Sequence, residues 1–135
     1  MKSEKYFFKY LNGGSIMAYV HEFGIIDCIE EYRENEHKPE KYNCIFIDGD
    51  LIDEIYHKGF GDKMKKLETF AHNLNRPYKD LAYYGITLIP PTSLKQFLNI
   101  INEENIKCKS EEFDKLISII VKAIEEEKYI IHYGI

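Results

Sequence analysis

Prolines 90 and 91 divide the most apolar part of this chain at a point that no continuous strand or helix can cross. Neither ring nitrogen carries the hydrogen that a strand ladder or a helix interior requires. The aromatic and β-branched run before them, residues 82 to 89, therefore reads as a strand ending at Ile89. After them, Ser93 and Gln96 have the spacing of a capping box, and Leu94, Phe97, Leu98 and Ile101 recur at helical spacing. Ser110 then caps the strongest helix of the sequence. Its Phe113, Leu116, Ile117, Ile120, Val121 and Ile124 form one broad apolar stripe opposite Glu112, Lys115, Lys122 and Glu126.

The remaining elements follow from the same signals. Residues 6 to 11 are aromatic and suit a strand or a short helix, and Asn12, Gly13, Gly14 and Ser15 mark a turn. Apolar spacing through Ile25, Ile26, Cys28, Ile29 and Tyr32 predicts a helix over about 16 to 34, with a break near Gly24. The polar stretch 35 to 41 closes it. Residues 42 to 47 read as a strand, and Asp50 as the N-cap of a helix over 51 to 57. Asp62 opens a further amphipathic segment, with Met64, Leu67, Phe70, Ala71 and Leu74 on one face and a stop at Arg76 and Pro77. The closing residues 129 to 135 are apolar enough to demand docking into a sheet or groove. The expected class is α+β, a predominantly helical single domain over residues 1 to 135 with a small sheet from 42 to 47, 82 to 89 and 129 to 134.

With 20 isoleucines, 11 tyrosines and 8 phenylalanines in 135 residues, the chain can bury a core without metal or disulfide staples. It has no apolar run of 18 residues and no signal-peptide pattern, so membrane insertion is not expected and a cytoplasmic location is. Three widely spaced cysteines, Cys28, Cys44 and Cys108, fit reduced thiols in that compartment. The net charge of −5 is unevenly placed. Residues 22 to 54 hold eleven acids against Arg33, Lys38 and Lys41, a local balance of −8, whereas residues 63 to 135 are nearly neutral. Such a field repels phosphate backbones and attracts basic partners, so direct nucleic-acid binding is not expected.

Catalytic patterns are sparse. The histidines at 21, 37, 57, 72 and 132 include no pair at i,i+4 spacing, and the glycine turns at 13–14 and 59–61 lack a phosphate-loop ending. Ser15 and Ser93 sit in no nucleophile elbow, and His132 between Tyr129 and Tyr133 reads as strand packing. No catalytic residue, metal ligand or cofactor is assigned. The densest carboxylate group is Asp48, Asp50, Asp53 and Glu54; helix capping explains two of them, and metal-assisted phosphoryl or phosphodiester chemistry with His57 is the alternative.

Three stretches give the chain a family likeness: Tyr84-Gly-Ile-Thr-Leu-Ile-Pro-Pro-Thr-Ser-Leu94, the helix that follows to Ile101, and Lys128-Tyr-Ile-Ile-His-Tyr-Gly-Ile135. In these, under half of its length, it resembles bacterial immunity proteins of polymorphic-toxin and contact-dependent growth inhibition systems. The resemblance implies an inhibitor that binds a cognate toxin C-terminal domain, commonly a nuclease, inside the producing cell. No family motif carries the binding residues, so contacts are assigned from chemistry. Glu30, Glu31, Glu34, Glu36, Asp48, Asp50, Asp53 and Glu54 would steer a basic toxin, and Tyr32, Tyr42 or Tyr56 would anchor a dry centre. A further alternative is a regulatory adaptor that forms a homodimer through Phe97, Phe113, Ile117, Val121 and Ile124.

Overall fold

The terminal apolar run and the run before the double proline lie side by side in the middle of one sheet. The computed structural model describes residues 19–33 and 39–134. The features expected at 6 to 11 and 12 to 15, Glu34, Glu36 and Ile135 lie outside the described residues. The strands are β1 (Val20–Ile26), β2 (Ile45–Asp48), β3 (Glu68–Ala71), β4 (Pro77–Lys79), β5 (Ile86–Ile89) and β6 (Tyr129–Tyr133). They form a six-stranded sheet in the order β2-β1-β6-β5-β3-β4, every neighbouring pair antiparallel. The helices are α1 (Gly49–Ile55), α2 (Gly61–Met64), α3 (Leu94–Cys108) and α4 (Glu111–Glu126). This α+β architecture corrects the expectation of a predominantly helical domain with a small sheet, because the sheet is the central layer.

Two segments expected as helices are strands. Within residues 16 to 34, β1 occupies Val20–Ile26, and only a single 3-10 turn, Ile29–Glu31, is helical. In β1, His21, Phe23 and Ile25 alternate with Glu22, Gly24 and Ile26, and both sets are largely buried. A strand covered on both faces carries crowded apolar positions that periodicity alone cannot tell from a helix. Gly24 belongs to the ladder: a Cβ there would lie 2.7 Å from the Cys44 sulfur and 2.8 Å from the Tyr42 carbonyl oxygen. The segment from Asp62 to Leu74 is helical only to Met64 and then crosses into β3 and a turn, where Leu74 is exposed.

The helical side of the sheet holds the main core. Phe23, Ile47, Ile89 and Ile130 meet Leu94, Phe97 and Ile101 of α3 and Phe113, Leu116 and Ile120 of α4. Each fully buried large side chain contributes roughly 1.5–3 kcal/mol. Phe97 and Phe113 are fully enclosed, and Ile117 and Ile124 pack on the same core, so the stripe considered for dimerisation is largely used within the chain. On the opposite face Ile26, Ile86, Leu88, Ile131 and Tyr133 form a second cluster, packed by Ile29, Tyr32, Tyr42 and Cys44 from the β1–β2 connection. The Tyr32 hydroxyl donates to the His72 carbonyl at 2.7 Å and ties that connection across the sheet.

The caps differ in detail from expectation. Asp48, not Asp50, caps α1, its side chain accepting from the Asp50 N–H at 3.3 Å. Ser93 makes no cap; its hydroxyl donates to the Glu68 carbonyl at 2.6 Å and fastens the start of α3 to β3. Ser110 caps α4 as expected, accepting from Glu112 N–H at 3.1 Å and Phe113 N–H at 3.4 Å. Among the described residues no helix is long and apolar enough to cross a membrane.

Candidate binding site at the head of helix α1

Three separate parts of the chain converge on Asp53. Tyr19 precedes β1, and its carbonyl accepts the Gly49 N–H at 2.8 Å. Its ring lies so close over Gly49 that a Cβ there would sit 2.6 Å from the ring, so the head of α1 needs glycine at this position. One turn along α1, Asp53 accepts hydrogen bonds from the hydroxyls of Tyr19 and Tyr83, the latter at 3.0 Å to Oδ1, and the two hydroxyls also touch each other.

Tyr83 comes from the loop between β4 and β5. Gly85, at φ 96°, turns the chain so that β5 begins at Ile86 rather than at residue 82. Both Tyr83 and Tyr84 therefore stand in the loop, 40% and 72% exposed, packed edge to face with centroids 4.9 Å apart. Gly134 supports the loop from β6, donating to the Gly85 carbonyl at 2.7 Å.

Behind the tyrosines, a polar chain crosses the helical side of the sheet. His21 Nδ1 lies 2.9 Å from His132 Nε2, and His132 Nδ1 lies 3.3 Å from the Thr87 hydroxyl, which accepts the Ala82 N–H at 2.7 Å. Burial pushes His21 down to about 4, with the Asp53 charge opposing it in part, and lowers His132 well below the usual imidazole range. Both rings are therefore neutral at pH 7. Among the described residues His21 Nε2 is buried without a hydrogen-bond partner, and the His21 ring meets Tyr83 edge-on at 5.8 Å. The hydrogen bond to Asp53 raises Tyr19 far above the ordinary phenol value, so it acts as a donor rather than a base.

Beside this cluster is a cleft of about 500 Å³ lined by Ile52, Asp53, Tyr56, His57, Leu81 and Tyr83. Tyr56 is held by a 2.7 Å bond from its hydroxyl to Asp80, a buried carboxyl raised by desolvation. A larger hollow of about 720 Å³ lies at the other side of the sheet, between β3, β4, Pro90, Pro91 and Tyr129. Its two charged residues, Glu68 and Lys79, oppose each other in register, so it has no net charge to select a partner.

The structure divides the acidic segment. Asp50, Asp53 and Glu54 lie on α1, and Tyr56 follows directly. Glu30 and Glu31 are exposed on a turn beyond the other end of β1, about 20 Å away along a seven-residue strand. Tyr32 and Tyr42 pack on the second core cluster, and Asp48 is buried as a cap, so these are not exposed anchors. The four carboxylates considered for metal turn to different partners: Asp48 to the helix start, Asp53 to the tyrosines and Glu54 to Lys58 at 3.5 Å, while Asp50 is exposed. Among the described residues no three His, Cys, Asp or Glu side chains group as a metal site.

Sequence reasoning missed Tyr19, His21, Tyr83 and Tyr84 as parts of this site. The one available signal was the tyrosine pair directly before Gly85, which a turn would place at the surface together. Comparison of the chain with protein-family models, curated proteins and solved structures found no match, so the likeness to immunity proteins rests on the three stretches quoted above.

Proposed function

We propose that this chain is a non-catalytic, cytoplasmic immunity protein that binds and neutralises a basic toxin domain through the surface at the head of α1. The exposed Tyr83–Tyr84 pair beside Asp53 carries the reading. Exposed tyrosine rings are costly to leave in water and combine apolar area with a hydrogen-bonding tip, the composition of interface hot spots. Asp50, Asp53 and Glu54 supply a negative field around them that steers a basic partner and rejects phosphate. The groups with altered titration favour binding over bond-making, since the imidazoles are enclosed and neutral and Tyr19 is held protonated.

Co-expression and pull-down with the polypeptide encoded immediately upstream test the proposal. Growth protection and a complex are expected, with Tyr84→Ala and Asp53→Asn weakening binding by about tenfold or more and Glu30→Gln with Glu31→Gln leaving it within about threefold. A toxic upstream polypeptide that this chain neither binds nor counteracts would overturn it.

A further inference from the structure

We infer that the cleft between Asp53, Tyr56, His57 and Tyr83 is a site for a guanidinium side chain, an arginine presented by the basic partner; the partner's role rests on the function proposed above. The cleft offers one carboxylate between aromatic and aliphatic walls, Tyr56, Tyr83, Ile52 and Leu81. An apolar occupant would cover Asp53 without compensating it, and an anion would be repelled by it. A cation satisfies both constraints.

The state of Asp53 selects among cations. Its oxygens accept two phenolic hydrogens, one from Tyr19 and one from Tyr83, the Tyr83 hydroxyl lying 3.0 Å from Oδ1 and 3.3 Å from Oδ2. A carboxylate offers roughly four lone-pair sites, so acceptor capacity for a second pair of donors remains. The two tyrosines hold the carboxylate plane in place before any ligand arrives. A guanidinium presents two parallel N–H groups to such a plane, stacks flat on a phenol and sheds water more readily than an ammonium ion. Lys65 already lies over the Tyr56 ring, 5.9 Å from its centroid, which leaves Tyr83 as the stacking partner.

The test is an amide-resolved NMR titration of the full chain near neutral pH with Nα-acetyl-arginine amide, run beside the norleucine analogue. Saturable shifts centred on Asp53, His57 and Tyr83 are expected for the arginine probe and none for norleucine. Asp53→Asn should weaken the probe by about tenfold or more while its spectrum stays folded. Equal shifts from both probes, no saturation, or an unchanged Asp53→Asn titration would overturn the assignment. If a basic toxin binds tightly but the arginine probe does not enter the cleft, the cleft assignment fails and the inhibitor proposal stands. If the probe binds with Asp53 dependence and no toxin is neutralised, the inhibitor proposal fails and the guanidinium site stands.

Discussion

Acidification from pH of about 7 to about 5.5 should weaken this fold through His21 and His132. Each ring is buried and held as the neutral form, so the native state resists a proton that the unfolded chain accepts. The unfolded state therefore binds more protons in this window, and stability must fall as pH falls. For His21, lowered from 6.5 to about 4, the loss begins near the unfolded value and is complete below the folded one. Linkage across this interval gives about 1.2 kcal/mol from His21 alone, and His132, lowered by burial in the same direction, acts in the same sense. With a urea slope of about 1.5 kcal/mol/M, the His21 part alone should lower the unfolding midpoint by roughly 0.8 M. Asp80 acts in the opposite sense, since a carboxyl raised by desolvation in the folded state takes up a proton before the unfolded chain does and favours folding as pH falls. Urea unfolding followed by circular dichroism reads the effect, and His21→Gln should reduce the pH slope whatever it does to stability at pH 7. A midpoint that does not move over this interval, or a slope unchanged in His21→Gln, would refute the neutral buried pair.

Deleting residues after Lys128 removes β6, the strand paired with both β1 and β5, and should abolish soluble folded protein by size-exclusion and circular dichroism; a folded truncation would show that β6 is dispensable. Ser93→Ala should cost about 1–3 kcal/mol in urea unfolding, because it leaves the Glu68 carbonyl without its 2.6 Å donor, whereas Ser110→Ala should cost about 1 kcal/mol as an ordinary lost cap. Gly134→Ala places a Cβ against the Tyr83 carbonyl and 2.7 Å from the Ala82 carbonyl, both backbone atoms. It should cost roughly 1–3 kcal/mol and displace Tyr83, so that binding of the arginine probe at the proposed site falls further than stability alone explains.

The elements legible in the sequence were those bounded by local chemistry. The double proline set the end of β5, Ser110 and a one-sided apolar stripe set α4, and an apolar terminus required docking, which it finds as β6. The elements that were misread depend on distant partners. Between β1 and β6, Phe23 pairs with His132, 109 positions away, and Gly24 is required by Cys44 and Tyr42 from the following strand region. Helical spacing from Met64 to Leu74 was coincidental, because Leu67 serves the main core and Phe70 the opposite cluster. Period-2 burial on two faces and period-3.6 burial on one give similar apolar strings over so short a run.

The same separation between linear and spatial order governs the site. A net charge of −8 over residues 22 to 54 suggests one acidic face, but the pairing of β1 with β2 carries Glu30 and Glu31 to one end of the sheet and Asp50, Asp53 and Glu54 to the other. At physiological ionic strength two groups about 20 Å apart are separated by more than two screening lengths and act independently. Charge alone would let either end attract a basic partner. Among the described residues, the α1 end joins exposed aromatic rings and a cleft to a carboxylate fixed by two tyrosines. At the other end the nearby tyrosines, Tyr32 and Tyr42, are committed to the core. A basic partner drawn to Glu30 and Glu31 would meet, among the described residues, charge without an exposed tyrosine pair, whereas one drawn to α1 would gain buried area, stacking and a paired charge that slow its release.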